Sequence, residues 1–269
     1  MRKLLLRGLV WSQAFGMDPI KFVRAIQALP SFVSDYRRFK GVDPAAGLPT
    51  RPSEPYLTDR YDNAGVASGH YFHQDLLVAT RIFQSKPERH VDVGSRVDGF
   101  VAHVAVFREI EVIDIRPVGA TIPNVVFRQM DIMSLDPAYA NYCDSLSCLH
   151  ALEHFGLGRY GDPIDPKGHL KGFATLTAML RPGGILYLSM PVGNSRVEFN
   201  GQRILSISDV LQMSENDFDL ERFSYVDDRG DLHDGVSMED FAAGRDSHFD
   251  QTYPLGIFEL RKRDGANAQ

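Results

Sequence analysis

The chain has 269 residues, 43% of them hydrophobic, which is enough to bury the core of one α/β domain and leave length for an attachment. Its formal net charge of −6 offers no basic footprint for a phosphate backbone, so a large nucleic-acid polymer is excluded as the expected partner and a small or neutral polar substrate fits better. No run of residues approaches transmembrane length, so no integral span is expected.

In chain order, the opening MRKLLLRGLVWSQAFG begins like a secretory leader, but Arg7 cuts its apolar stretch short and Ser12 and Gln13 follow closely. Leu4, Leu5, Trp11 and Phe15 can share one helix face, for packing within the chain or for a membrane surface or partner. Residues 1–40 read as helical with breaks at Pro19 and Pro30, and the Pro/Gly-rich GVDPAAGLPTRPSEP then makes a connection ending near Pro55. The division expected is a helical extension and linker over 1–55 and a main domain over 56–269.

HQDLLVATRIF reads as a helix ended by Pro87. Strand-like segments follow at 90–93, 111–115, 125–130, 145–149 and 185–189, separated by helical or turn-rich stretches. Such alternation predicts a doubly wound, mostly parallel Rossmann-like α/β sheet with helices on both faces. SISDVLQM reads as a helix, and LERFSYV and YPLGIFELRKR, around the turn-rich DDRGDLHDG, as an antiparallel pair at the sheet edge. The acidic run from Asp227 to Asp231 reads as a solvated hairpin turn rather than a calcium loop. The only cysteines, Cys143 and Cys148, fall in one strand at an odd separation, so they are expected on opposite faces as reduced thiols of a cytoplasmic protein.

Ligands of open parallel sheets sit at the carboxyl ends of the strands. The first strand ends in Asp92-Val93-Gly94-Ser95, where a glycine permits a tight turn and close backbone approach. Asp114 ends the second strand, where an acid can accept both ribose hydroxyls, and Asp131 follows the third, placed for an adenine amino group. A nicotinamide-binding Rossmann domain would share Gly94 and Asp114, but its fingerprint needs a third glycine.

This order of acidic-Gly turn, acid after strand two and Asp after strand three, together with LEHF and LRPGGILYLSMP, resembles class I S-adenosylmethionine-dependent methyltransferases over about residues 85–195. The resemblance implies S-adenosylmethionine as cofactor, with Gly94 in the cofactor loop, Asp114 on the ribose, and Asp131 with Ile132 at the adenine. Asp92, Ser95, Ile115 and Leu149 complete the expected cofactor set. The usual loop continues with alternate glycines where this chain has Arg96 and Asp98, with Gly99 one place late, so Arg96 is expected to meet the carboxylate of the ligand. ASGHYFHQDLLVA, HVDVGSRVDGF, CLHALEHFGLGRYGDPIDPKG and LSMPVGNSRVEFN further resemble DUF268, a family of uncharacterised methyltransferase-like proteins from bacteria, from about residue 55 onward. That resemblance implies work in surface-polysaccharide biosynthesis, on a small-molecule or glycan acceptor.

His150, Glu153, His154, Asp162, Asp165 and His169 crowd one segment after the fourth strand. Methyl transfer to oxygen needs alignment and a base near neutral pKa, for which His150, His154 and Asp162 are the catalytic candidates, His150 first. His154 has an equally natural place packing the following helix, and no compact metal-ligand spacing is met, so no metal is expected. Tyr71, His73 and Gln74 lie where a segment can cover the cofactor. Arg196, Glu198 and Asn200 follow strand five, where acceptor contacts are expected. The reading is an O-methyltransferase of a sugar or polysaccharide intermediate, cytoplasmic or peripheral at the inner membrane. Its alternative is a methyltransferase-fold protein that binds cofactor or a partner without catalysis.

Overall fold

The computed structural model describes residues 10–41, 51–134, 136–237 and 252–264. Two compact units emerge, 1–66 and 67–269. In the first, α1 (Pro19–Gly41) starts where Asp18 accepts the backbone N–H of Lys21 at 2.9 Å, an N-cap followed by proline in the first turn. The break expected at Pro30 does not occur. Proline forfeits one backbone hydrogen bond, and the ladder on either side carries a 23-residue helix through it. Of the apolar face expected near the start, Leu4 and Leu5 lie outside the described residues, whereas Trp11 and Phe15 are exposed and lie beside each other, ring centroids 6.4 Å apart.

The second unit is an eight-stranded sheet. Its strands are β1 (His90–Val93), β2 (Ile110–Asp114), β3 (Val125–Gln129), β4 (Cys143–Leu149), β5 (Leu180–Pro191), β8 (Phe218–Val226), β9 (Leu232–His233) and β10 (Leu255–Lys262). Their order is β3-β2-β1-β4-β5-β10-β8-β9. Pairs from β3 to β5 are parallel, while β10 inserts between β5 and β8, antiparallel to both. The expected antiparallel pair is therefore present, with the last strand on the inner side. A small ribbon of β6 (Arg196–Glu198) and β7 (Gln202–Ile204) stands apart. The Asp227 run forms the turn between β8 and β9, where the Asp227 carboxylate accepts the backbone N–H groups of Arg229 and Asp231.

Strands covered on both sides are apolar at most positions, with His90, Asp92, Ser145 and Ser147 as buried polar exceptions in β1 and β4. Val91, Val93, Leu146, Leu186 and Leu188 face one cluster with Phe173, Leu176 and Met179 of α4 (Gly168–Met179). Val112, Leu149, Tyr187 and Ile257 face the other with Val78, Ala79 and Ile82 of α2 (His70–Ser85). Phe100 and Val104, on the turn before α3 (Ala102–Ala105) and on α3 itself, complete that side. The last helix, α5 (Ile207–Ser214), opens on a reciprocal cap between Ser206 and Asp209.

Both cysteines are free and buried, but they do not take opposite faces: a register shift between Cys143 and Ser145 breaks the alternation, and both thiols join the same cluster. Burial pushes the Cys143 thiol up to about 12, so it stays protonated. No helix among the described residues is long and apolar enough to cross a membrane.

Candidate active site

The carboxyl ends of β1, β2, β3 and β4 open on one groove of two adjoining hollows that share Gly94, Asp114, Arg116, His150 and Tyr160. The inner hollow is also lined by Val93, Ile113, Met130 and Phe155, and the outer one by Tyr71 and Leu149. At the end of β1 the Gly94 N–H donates to Ile113 O at 2.9 Å, and φ is +74°. A Cβ on Gly94 would stand 2.8 Å from Ala151 Cβ, well inside van der Waals contact, so the crossing of the first and fourth strand ends requires glycine here.

Asp92 departs from the expectation that it lines the cofactor groove. It is fully buried beneath the groove, where Ser147 Oγ donates to it at 2.5 Å and Ser95 Oγ at 2.6 Å. Burial raises its carboxyl to about 7, against those bonds, which lower it. Its role is to brace the loop: Ser95, at its other end, lines the outer hollow. Arg96 lies in the same wall, its guanidinium 5.4 Å from the Tyr71 ring centre and held in a two-bond pair with Asp98 at 3.0 and 2.7 Å. Gly99, the glycine that falls one place late, has its own reason: a Cβ there would meet Asp75 Oδ2 at 2.5 Å.

Asp114 reaches the groove from β2, where Arg116 donates to it from Nε at 3.0 Å, from Nη2 at 2.6 Å and from its backbone N–H at 2.8 Å. The same guanidinium covers the Tyr160 ring at 4.3 Å. Asp131 lines the inner hollow with Ile115 and Ile132, and its carboxylate accepts the Met133 N–H at 2.9 Å. Leu149 lines the outer one. Arg116 and Tyr160 were not singled out from the sequence, since neither falls at a strand end.

His150 follows β4 directly and holds φ +52°, a conformation that a non-glycine residue keeps only where its surroundings impose it. Its N–H donates to Ser189 O at 3.0 Å. Its ring nitrogens are both engaged: Nδ1 lies 2.8 Å from Glu153 Oε1 and Nε2 lies 3.1 Å from His70 Nδ1. Glu153 is fully buried, and its second oxygen, Oε2, has no hydrogen-bond partner among the described residues. His70, eighty positions away in sequence, opens α2, and burial and the neighbouring His150 lower it to about 4. The first turn of α2 is fixed over the strand ends by Ser189 Oγ donating to Gln74 Oε1 at 2.6 Å and Gln74 Nε2 donating to Asp75 at 3.1 Å.

The remaining candidates divide. His154 lines the inner hollow with its Nδ1 2.7 Å from Gly201 O, and burial lowers its pKa. Asp162 accepts the backbone N–H groups of Gly156, Gly158 and Tyr160 at 2.7, 3.2 and 3.2 Å, which shapes the loop around the groove. Arg203, buried and unremarked in the sequence, ties that loop to β7 by donating to Phe155 O and Asp165 O. Tyr71 lines the outer hollow, its ring 4.9 Å from that of His150. His73 packs its ring against Phe72 instead, and Arg196, Glu198 and Asn200 lie on or beside the exposed β6 ribbon, with Arg196 and Glu198 paired to each other at 2.9 Å. None of those four lines either hollow. Among the described residues no three His, Cys, Asp or Glu side chains are grouped to hold a metal ion.

A family described as Caenorhabditis protein of unknown function, DUF268, matches residues 123–228, from the start of β3 into the turn after β8. The match is shorter than the extent expected from residue 55, and its description names Caenorhabditis rather than bacteria. No curated protein matches the sequence. The Burkholderia thailandensis 1,6-didemethyltoxoflavin-N1-methyltransferase, solved with 1,6-didemethyltoxoflavin and S-adenosylhomocysteine, is similar over 92% of both chains at 13% identity and TM-score 0.52. The N-methyltransferase NodS of Bradyrhizobium japonicum is similar over 74% of this chain and 100% of its own, at 12% identity and TM-score 0.50. The fold is that of class I methyltransferases. The [4+2]-cyclase SpnF shares it too, over 87% of this chain and 94% of its own, at 18% identity and TM-score 0.52. The fold alone therefore does not dictate methyl transfer.

Proposed function

We propose that this chain binds S-adenosylmethionine in the groove and methylates a hydroxyl of a sugar or surface-polysaccharide intermediate. The observation that carries the cofactor is the convergence of Gly94, Asp114 and Asp131, from three strand ends, on one groove. The residues fit the group: the tight turn at Gly94 lines the groove with backbone alone, Asp114 offers acceptors for ribose hydroxyls, and Asp131 with the apolar Ile115 and Ile132 suits an adenine ring. Arg96 in the outer wall suits a ligand carboxylate, once it exchanges Asp98 for it.

When bound, S-adenosylmethionine supplies a methyl group already activated on a positive sulfur. What the chain must add is alignment and a place for the acceptor's proton. His150 stands in the groove wall backed by Glu153, the arrangement of an oriented general base. Tyr71, Arg159 and Tyr160 line the outer hollow and offer rings and donors to a polyol. The acceptor class rests on the family resemblance. Calorimetry with S-adenosylhomocysteine, followed by methyl-transfer assays on sugar acceptors, tests the two halves separately: absent binding removes the cofactor, while binding without transfer favours the second reading.

That second reading is a class I fold that binds the cofactor, or a partner, without methyl transfer. Two observations favour it: the cyclase SpnF shares the fold, and Arg116 already occupies Asp114.

The location is proposed as cytoplasmic and peripheral at the membrane. The first 41 residues hold eight Lys and Arg against two Asp, in a chain whose total is −6. Along α1, Phe22, Ile26, Leu29 and Val33 recur at helical spacing and are exposed. A basic surplus beside an exposed apolar stripe suits an anionic lipid surface.

A further inference from the structure

The hydrogen bonds around His150 can be counted donor by donor. His70 Nε2 lies 3.1 Å from the backbone carbonyl of Tyr253, which only accepts, so this nitrogen carries the proton. The carbonyl is held in place, because the Tyr253 N–H donates to Asp228 at 2.8 Å and the Tyr253 ring stacks on His70 at 5.1 Å. His70 is neutral, its pKa lowered to about 4 by burial and by His150 against the opposing Asp228 and Glu153, so its Nδ1 offers a lone pair. The contact of 3.1 Å between His70 Nδ1 and His150 Nε2 then requires a proton on Nε2 of His150. On the far side of the ring, Nδ1 and Glu153 Oε1 are 2.8 Å apart and share a second proton.

With His70 docked, the candidate base therefore has no free lone pair. We propose that His70 is a positioning residue that latches His150: while bonded to it, His70 keeps Nε2 protonated, and only its withdrawal lets His150 accept a proton from the acceptor. On withdrawal the Nε2 proton passes to water, which leaves His150 a neutral Nδ1–H donor to the Glu153 carboxylate. Its Nε2 lone pair is then available to a hydroxyl. The buried Glu153 fits this role, since a fully buried carboxylate with one oxygen unpartnered is retained at a cost and needs the imidazole as its proton partner. Tyr71, whose ring lies 4.9 Å from that of His150, sits one residue along α2 from His70, so an acceptor that contacts Tyr71 shares an element with the latch.

The inference rests on the methyl-transfer reading for its purpose but not for its test. In the protein without cofactor, the ring nitrogens of His150 are read by nitrogen-15 NMR. The expected result is a protonated Nε2 with a scalar coupling across the hydrogen bond to His70 Nδ1. His70→Leu removes the acceptor and should convert His150 to the neutral Nδ1–H form. His70→Asn, whose side-chain oxygen takes the place of Nδ1, should restore the wild-type pattern. An unprotonated Nε2 in the wild type, or a pattern that His70→Leu leaves unchanged, overturns the latch. Should His70→Leu fail to fold, absence of the coupling in the wild type overturns it alone. Loss of S-adenosylhomocysteine binding with the coupling present would instead remove the methyltransferase reading.

Discussion

Gly94→Ala tests the groove at its narrowest point. The added methyl would lie 2.8 Å from Ala151 Cβ, about 1 Å inside ordinary carbon contact. Overpacking of this kind costs about 1–3 kcal/mol. The backbone at φ +74° adds about 1–2 kcal/mol for a residue with a Cβ. Together they predict a loss of about 2–5 kcal/mol, or roughly 5–15 °C in melting temperature for a domain of this size. Because Ala151 directly follows His150, the displacement reaches both the cofactor turn and the candidate base. Adding Ala151→Gly should relieve the contact but not the backbone strain, recovering about 1–3 kcal/mol and leaving the rest. Urea unfolding of the two single variants and the double variant measures each part. A Gly94→Ala protein as stable as the wild type, or a double variant no better than Gly94→Ala, would refute the argument from contact.

Asp114→Ala should weaken S-adenosylhomocysteine binding in calorimetry by about 1–3 kcal/mol, the worth of charge-assisted bonds to hydroxyls; unchanged affinity in a folded variant would remove the ribose assignment. Asp92 is predicted to make stability fall as pH rises. Its folded pKa of about 7 lies above the ordinary 3.8, so its contribution is full in acid and lost as pH climbs across that window. Asp92→Asn should gain on the wild type by up to about 4 kcal/mol between the two ends of the window, and a constant difference in urea unfolding at acid and alkaline pH would contradict the assignment. For the first 41 residues, sedimentation with phosphatidylglycerol vesicles should exceed that with phosphatidylcholine and weaken in high salt; equal or absent association with both would remove the membrane proposal.

Strand ends were legible because buried parallel strands are apolar runs closed by turn residues, and the groove residues Gly94, Asp114 and Asp131 follow from position alone. Three misplacements have local causes. Pro30 lies inside a helix because one lost bond is small beside the rest of the ladder. The cysteines share a face because a register shift, invisible in the sequence, interrupts the alternation. Asp92 points under the groove because Ser147 on β4 offers it a bond, a pairing that needs the strand order to be known. His70 and Tyr253 were missed for the same reason: they meet His150 across long sequence separations. A histidine heading a helix beside Tyr71 was the available clue.

The groove at the ends of β1 to β4 is proposed to hold S-adenosylmethionine. Titration of the labelled protein with S-adenosylhomocysteine, followed by backbone amide NMR, tests it most directly. The predicted result is saturable shifts centred on Gly94, Asp114 to Arg116, Asp131, Ile132 and His150. No saturable shifts, or shifts centred away from these residues, would contradict it.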